Sequence, residues 1–105
     1  MPSLAAQQRA ALPPFNPQDR ASAVLKAMGN AHRLKILCHL SRVESSVSEL
    51  EKVTGLSQSA LSQHLARLRQ ENLVKTRRHA QTIYYSLEGD VAKQVLKALR
   101  TANLI

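Results

Sequence analysis

The stretch Thr54-Gly55-Leu56-Ser57-Gln58-Ser59-Ala60-Leu61-Ser62-Gln63-His64-Leu65-Ala66-Arg67-Leu68-Arg69-Gln70 decides how this 105-residue chain folds. Leu61, Leu65 and Leu68 recur at the three- and four-residue spacing of one helix face. Ser57 stands just ahead of them, where a hydroxyl can accept from the free N–H groups of a helix start. Upstream, Ser46-Val47-Ser48-Glu49 has the spacing of a capping box, and Val47, Leu50 and Val53 follow on one face. Thr54-Gly55 stops that first helix after about two turns. Glycine suits a backbone position with positive φ, and Leu56 plugs the angle between the helices. Two short helices joined by so tight a turn form a helix-turn-helix.

The outer face of the second helix carries Gln58, Ser59, Ser62 and Gln63, with Arg67 one turn further on. These short donors and acceptors suit base edges in a major groove, where glutamine pairs bidentately with adenine. The plainer reading is an ordinary polar face, which more often displays Glu and Lys. After Glu71-Asn72 the period changes from that of a helix to that of a strand. Val74, Thr76 and Arg78, then Gln81, Ile83 and Tyr85 with Thr82 and Tyr84 opposite, predict two short strands. Arg77-Arg78-His79-Ala80 is expected as the hairpin tip. Lys75, Arg77, Arg78, His79 and Gln81 then form a wing that grips phosphate, giving affinity and register. A solvated hairpin face is the plainer alternative. Fifteen Lys and Arg against seven Asp and Glu leave a formal charge of +8, and a small domain that basic usually meets a polyanion.

Outward from this centre, Asn16-Pro17-Gln18-Asp19 reads as a helix start, with Asn16 as cap and Pro17 at the first helical position. Ala21, Val24, Leu25 and Met28 give that helix an apolar face. Gly29-Asn30 ends it, and Asn30 can cap the next. The second helix has Leu34, Leu37, Cys38 and Ser41 on one face with Ile36 and Leu40 beside it, a stripe wide enough for the central helix. The last helix, from about Glu88, repeats Val91, Val95, Leu96 and Leu99. The fold class expected is mainly α with a small β-hairpin, a winged helix-turn-helix of order α-α-α-α-β-β-α over residues 16–105. Residues 1–15 read as a flexible arm with a short helix around Leu4 to Leu12. Aromatic residues are only 3% of the chain, so a core of aliphatic side chains is expected. The first and last helices present more apolar surface than so small a core covers. Val24, Leu25, Met28, Val95, Leu96 and Leu99 are therefore expected at the seam of a homodimer, although the same helices could simply complete the monomer's core.

Composition excludes several classes. One cysteine permits no internal disulfide framework, no apolar run approaches the ~18 residues that span a bilayer, and the N-terminus lacks the pattern of a signal peptide. The chain reads as cytoplasmic, with no membrane partner. No paired carboxylates and no glycine-rich phosphate loop occur. Cys38 and His39 are neighbours pointing about 100° apart on a helix, so catalysis is not expected.

The runs Leu25-Lys26-Ala27-Met28-Gly29-Asn30, Arg33-Leu34-Lys35-Ile36-Leu37-Cys38, Leu56 to Leu65, and Thr76-Arg77-Arg78 with Ala80-Gln81-Thr82-Ile83-Tyr84-Tyr85 resemble the ArsR/SmtB family of repressors, in its HlyU/BigR/YgaV/NolR-like branch. The resemblance spans about residues 20–100. It implies a homodimeric winged helix that binds double-stranded DNA at an inverted-repeat promoter operator, as repressor or anti-silencer. A winged helix used for protein or RNA interaction is the alternative. The resemblance also implies where family members sense. Their metal-binding thiolate pair aligns with Ser46 and Ser48, which supply no soft ligand. His32 and His39, seven apart on one helix, lack a nearby carboxylate or thiol, so neither metal nor other cofactor is expected. The redox branch uses two cysteines; Cys38 matches the first, and the second falls in Thr101-Ala102-Asn103-Leu104-Ile105, where no thiol exists. Three roles stay open for Cys38: a buried core residue, a thiol forming a sulfenic acid or mixed persulfide with a small thiol, or a thiol pairing with Cys38 of the partner subunit or with another thiol.

Overall fold

The computed structural model describes residues 3–11, 16 and 19–105. Its elements are α1 (Leu4–Ala11), α2 (Arg20–Met28), α3 (Ala31–Leu40), β1 (Ser45–Ser46), α4 (Val47–Thr54), α5 (Gln58–Gln70), β2 (Val74–His79), β3 (Thr82–Leu87) and α6 (Val91–Thr101). After α1, this is the expected series with one strand added. α1 is the short N-terminal helix anticipated around Leu4; Leu12 lies outside the described residues.

Local chemistry accounts for most boundaries. Asn30 caps α3 by accepting from the backbone N–H of His32 and Arg33 at 3.0 and 3.1 Å. Ser46 caps α4 through Glu49 N–H, and Ser57 caps α5 through Ala60 N–H, each at 3.2 Å. Gly55 takes φ +70° at the end of α4, where a left-handed residue lets the chain leave a helix. Two expected starts move. α2 begins at Arg20 with Asp19 in the cap position and no side-chain cap bond; Asn16 instead accepts from Asp19 N–H through its carbonyl at 2.8 Å. The expected role of Pro17 lies outside the described residues. α6 begins at Val91, not near Glu88, because Gly89 at φ +60° turns the chain first.

α3 is the hub, packing against α2, α4, α5 and β3. Ile36, Leu37, Leu50, Leu61, Leu65, Leu68, Leu73 and Leu96 belong to one buried core, with Cys38 and Tyr85 packed partly against it. Among the described residues the fully buried side chains are aliphatic apart from Ser45. Each such leucine contributes ~1.5–3 kcal/mol of burial, which holds the two helices of the helix-turn-helix at one angle. Ser41, expected on the apolar face of α3, is its C-cap, donating to the Cys38 carbonyl at 2.6 Å and accepting from Arg100 Nη2 at 3.1 Å.

The sheet has strand order β1-β3-β2, all antiparallel. Val74 pairs with Leu87 and His79 with Thr82, so the tip is Ala80-Gln81. This corrects the hairpin: Arg77, Arg78 and His79 belong to β2 and not to the tip, and Gln81, expected in the second strand, sits in the turn. β1 joins the other side of β3 through Ser45–Tyr85 and Ser46–Tyr84. Ser45 is fully buried, yet satisfied: its hydroxyl meets His39 Nε2 at 2.8 Å and donates to the Val43 carbonyl at 3.3 Å.

Candidate nucleic-acid interface

α4 and α5 meet at a corner that local bonds fix. Thr54 Oγ1 donates to the Leu50 carbonyl at 2.7 Å and accepts from Leu56 N–H at 3.2 Å, closing α4 and starting the turn. Leu56 packs partly against the core, as its plug role requires. Beyond the corner, α5 buries Leu61, Leu65 and Leu68 and leaves Gln58, Ser59, Ser62 and Gln63 exposed. The structure thus brings those four to one solvent-facing surface at the N-terminal end of a helix. Arg67 follows one turn beyond Gln63 and is half-buried, at the flank toward α3, where its charge bears on Arg33.

That flank holds a cluster that the sequence pattern did not mark. Arg33 donates through Nε to the Ala27 carbonyl, through Nη2 to the Lys26 carbonyl at 3.2 Å, and through Nη1 to His64 Nδ1 at 3.3 Å. It therefore closes the last turn of α2 and braces α5. Burial first, then Arg67, lowers the pKa of Arg33; burial, then Arg33 and His32, lowers that of His64. Arg20 Nη2 similarly donates to the Glu71 carbonyl at the end of α5, at 3.0 Å. These contacts span 31 and 51 residues, so no local pattern could have announced them.

Lys75, Arg77, Arg78, His79 and Gln81 are all exposed. Lys75, Arg77 and His79 share one sheet face, opposite Ser86, Tyr84 and Thr82, while Arg78 faces the other way opposite Ile83. The wing is thus basic on both faces. Arg77 is also engaged within the fold: it pairs with Glu44 at 2.6 Å and lies 4.9 Å from the centre of the Tyr84 ring. The hydrogen bond from Arg77 lowers the Glu44 pKa against a smaller opposing effect of burial, and the same bond raises that of Arg77.

Away from this surface, Cys38 is half-buried and free. Ser46 is spent as a helix cap and Ser48 is exposed. Among the described residues no three His, Cys, Asp or Glu side chains come together to hold a metal ion, and no helix is long and apolar enough to cross a membrane. The residues expected at a dimer seam divide. Val24, Met28 and Leu96 are buried within the chain, whereas Leu25 is 60% exposed and Val95 and Leu99 are half-buried. Leu25, Val91 and Val95, with Arg20, Ala21 and Val24, line an open apolar cleft of about 400 Å³ between α2 and α6.

Residues 30–76, from the cap of α3 into β2, match the family described as "Bacterial regulatory protein, arsR family". The nodulation protein NolR of Rhizobium meliloti is 52% identical over 90 residues, covering 84% of this chain and 74% of that protein. The transcriptional activator HlyU of Vibrio cholerae is 51% identical over 80 residues, covering 76% of this chain and 74% of that protein. The chain belongs to the ArsR family. Its fold agrees: NolR of Sinorhizobium fredii superposes with a TM-score of 0.79 at 46% identity, over 89% of this chain and 98% of that one. A Mycobacterium bovis domain, described as a homodimeric winged helix-turn-helix DNA-binding domain and a possible ArsR-family regulator, superposes at 0.75 with 32% identity, over 81% of this chain and 80% of that one. As an ArsR-family protein the chain is a DNA-binding transcription regulator, not an enzyme.

Proposed function

We propose that this ArsR-family regulator binds an inverted-repeat promoter operator as a twofold homodimer, as repressor or anti-silencer, in the cytoplasm. α5 enters the major groove and the wing takes phosphate. The observation that carries this reading is the exposed row Gln58, Ser59, Ser62 and Gln63 on α5, backed by three buried leucines. Arg67 supports it from the flank, and Lys75, Arg78, His79 and Gln81 supply exposed groups beside it. The cleft at Leu25, Val91 and Val95 supports pairing of α2 and α6 with those of a second copy. A twofold axis there sets the two reading helices about 34–36 Å apart, one turn of DNA.

Selection of bound genomic fragments identifies the operator, and Gln63→Ala and Ser59→Ala then test the reading. Each variant loses ~1–3 kcal/mol for the operator while binding unrelated duplex as before. Equal losses on both DNAs would mean that α5 does not read bases. A purified chain that binds no duplex promoter fragment at all is an interaction module for protein or RNA.

The half-buried place of Cys38 against the core supports a packing role. Operator affinity of wild type and Cys38→Ser under reductant, peroxide and polysulfide tests this. Both proteins should behave alike; a response in wild type that the variant lacks assigns sensing to the thiol.

A further inference from the structure

Arg77 is a wing cation that the fold has already engaged, and its partner comes from outside the wing. Arg77 Nε donates to both carboxylate oxygens of Glu44, at 2.8 and 2.9 Å, and Nη2 stands 2.6 Å from Oε1. The guanidinium carbon lies 4.9 Å from the centre of the Tyr84 ring, directly across the strand pair. Glu44 immediately precedes β1, and β1 fastens it to the sheet through Ser45–Tyr85 and Ser46–Tyr84. Lys75 projects from the same face of β2 as Arg77, and its charge also reaches Glu44. A carboxylate is thereby held against the basic face that a nucleic-acid backbone would approach.

A carboxylate and a phosphate offer a guanidinium the same pair of acceptor oxygens. The pair is open to water, with side-chain exposures of 56% for Arg77 and 32% for Glu44, and ion pairs so exposed hold weakly. The tyrosine ring attracts the guanidinium whichever anion faces it. We propose that Glu44 is a positioning residue that stands in for one backbone phosphate in the DNA-free protein, and that Arg77 exchanges Glu44 for that phosphate when the wing meets the duplex. This rests on the reading of the wing as a phosphate grip and adds the residue that regulates it. Arg77 then reaches DNA already extended over Tyr84, with little side-chain freedom left to lose. In return, a displaced carboxylate beside the phosphate tempers binding to any sequence.

The test uses the full chain and a duplex of unrelated sequence, with affinity followed against salt. Glu44→Gln binds about two- to five-fold tighter, and its slope of log affinity against log salt steepens by up to ~0.9. In an Arg77→Gln background the gain from Glu44→Gln disappears. Weaker or unchanged binding by Glu44→Gln overturns the exchange, because Glu44 is then only a strut for Arg77. An equal gain with and without Arg77 also overturns it, since that is long-range charge alone. Arg78→Gln checks the underlying reading: if it leaves binding untouched, the wing does not grip phosphate. If Arg78→Gln weakens binding while Glu44→Gln shows neither expected pattern, the exchange alone fails. Thermal melting of each variant establishes that it is folded.

Discussion

His64 turns from α5 back toward α3, accepting from Arg33 at 3.3 Å with the His32 ring 5.5 Å away. Burial, Arg33 and His32 together hold its pKa below the ordinary 6.5, so the folded protein keeps this ring neutral to lower pH than the unfolded chain does. Below pH 6.5 the unfolded state takes up a proton that the folded state resists, and stability is lost as pH falls from there through the folded-state pKa. His64→Gln should therefore flatten the decline in melting temperature between about pH 7 and 5; curves of equal slope would place the titration elsewhere. A histidine on the reading helix was visible in the sequence, but its partner was not. In the sequence Arg33 figures only within the run Arg33 to Cys38 that carries the family resemblance. Its threefold engagement depends on how α2, α3 and α5 pack, which periodicity does not specify.

At the scale of elements, two turns share a backbone conformation but not a residue type. Gly55 ends α4 at φ +70° with open space around the position of a Cβ, so Gly55→Ala meets backbone strain alone and should cost about 1 kcal/mol. Ala80 holds φ +55° in the wing turn. Ala80→Gly should gain ~0.5–1 kcal/mol there. Urea unfolding measures both, and changes of the same sign would contradict the conformations given. Gly55 could be read because glycine announces such a turn. Ala80 announces nothing, so the sequence puts the tip in the arginines, whereas β2 runs on to His79 and β3 on to Leu87. β1 leaves no mark in the sequence, since two residues carry no period; only the open side of β3 calls for it. The caps at Asn30, Ser46 and Ser57 were legible because each accepting side chain and the N–H that donates to it lie within three residues.

For the whole molecule, the apolar faces of α2 and α6 were plain in the sequence, but what covers each residue was not. A hydrophobic repeat marks a face without naming its partner. The monomer's own core takes Val24, Met28 and Leu96 and leaves Leu25 outside. The two sets should respond differently. Leu96→Ala opens a cavity in the fold and should cost ~2–5 kcal/mol of stability. Leu25→Asp should leave melting little changed, yet shift sedimentation toward monomer and reduce operator affinity. A dimer that survives Leu25→Asp would move the seam away from this cleft.

Among the described residues, the strand order β1-β3-β2 leaves β2 with one edge unpaired by any strand. A six-residue edge would invite a second molecule to add its own strand there, and charged side chains are a common defence against that. Lys75, Arg77 and Arg78 lie along it. The arginines proposed to hold DNA thus also serve as guards against self-association, so a wing neutralised to abolish phosphate binding becomes a ribbon prone to aggregate.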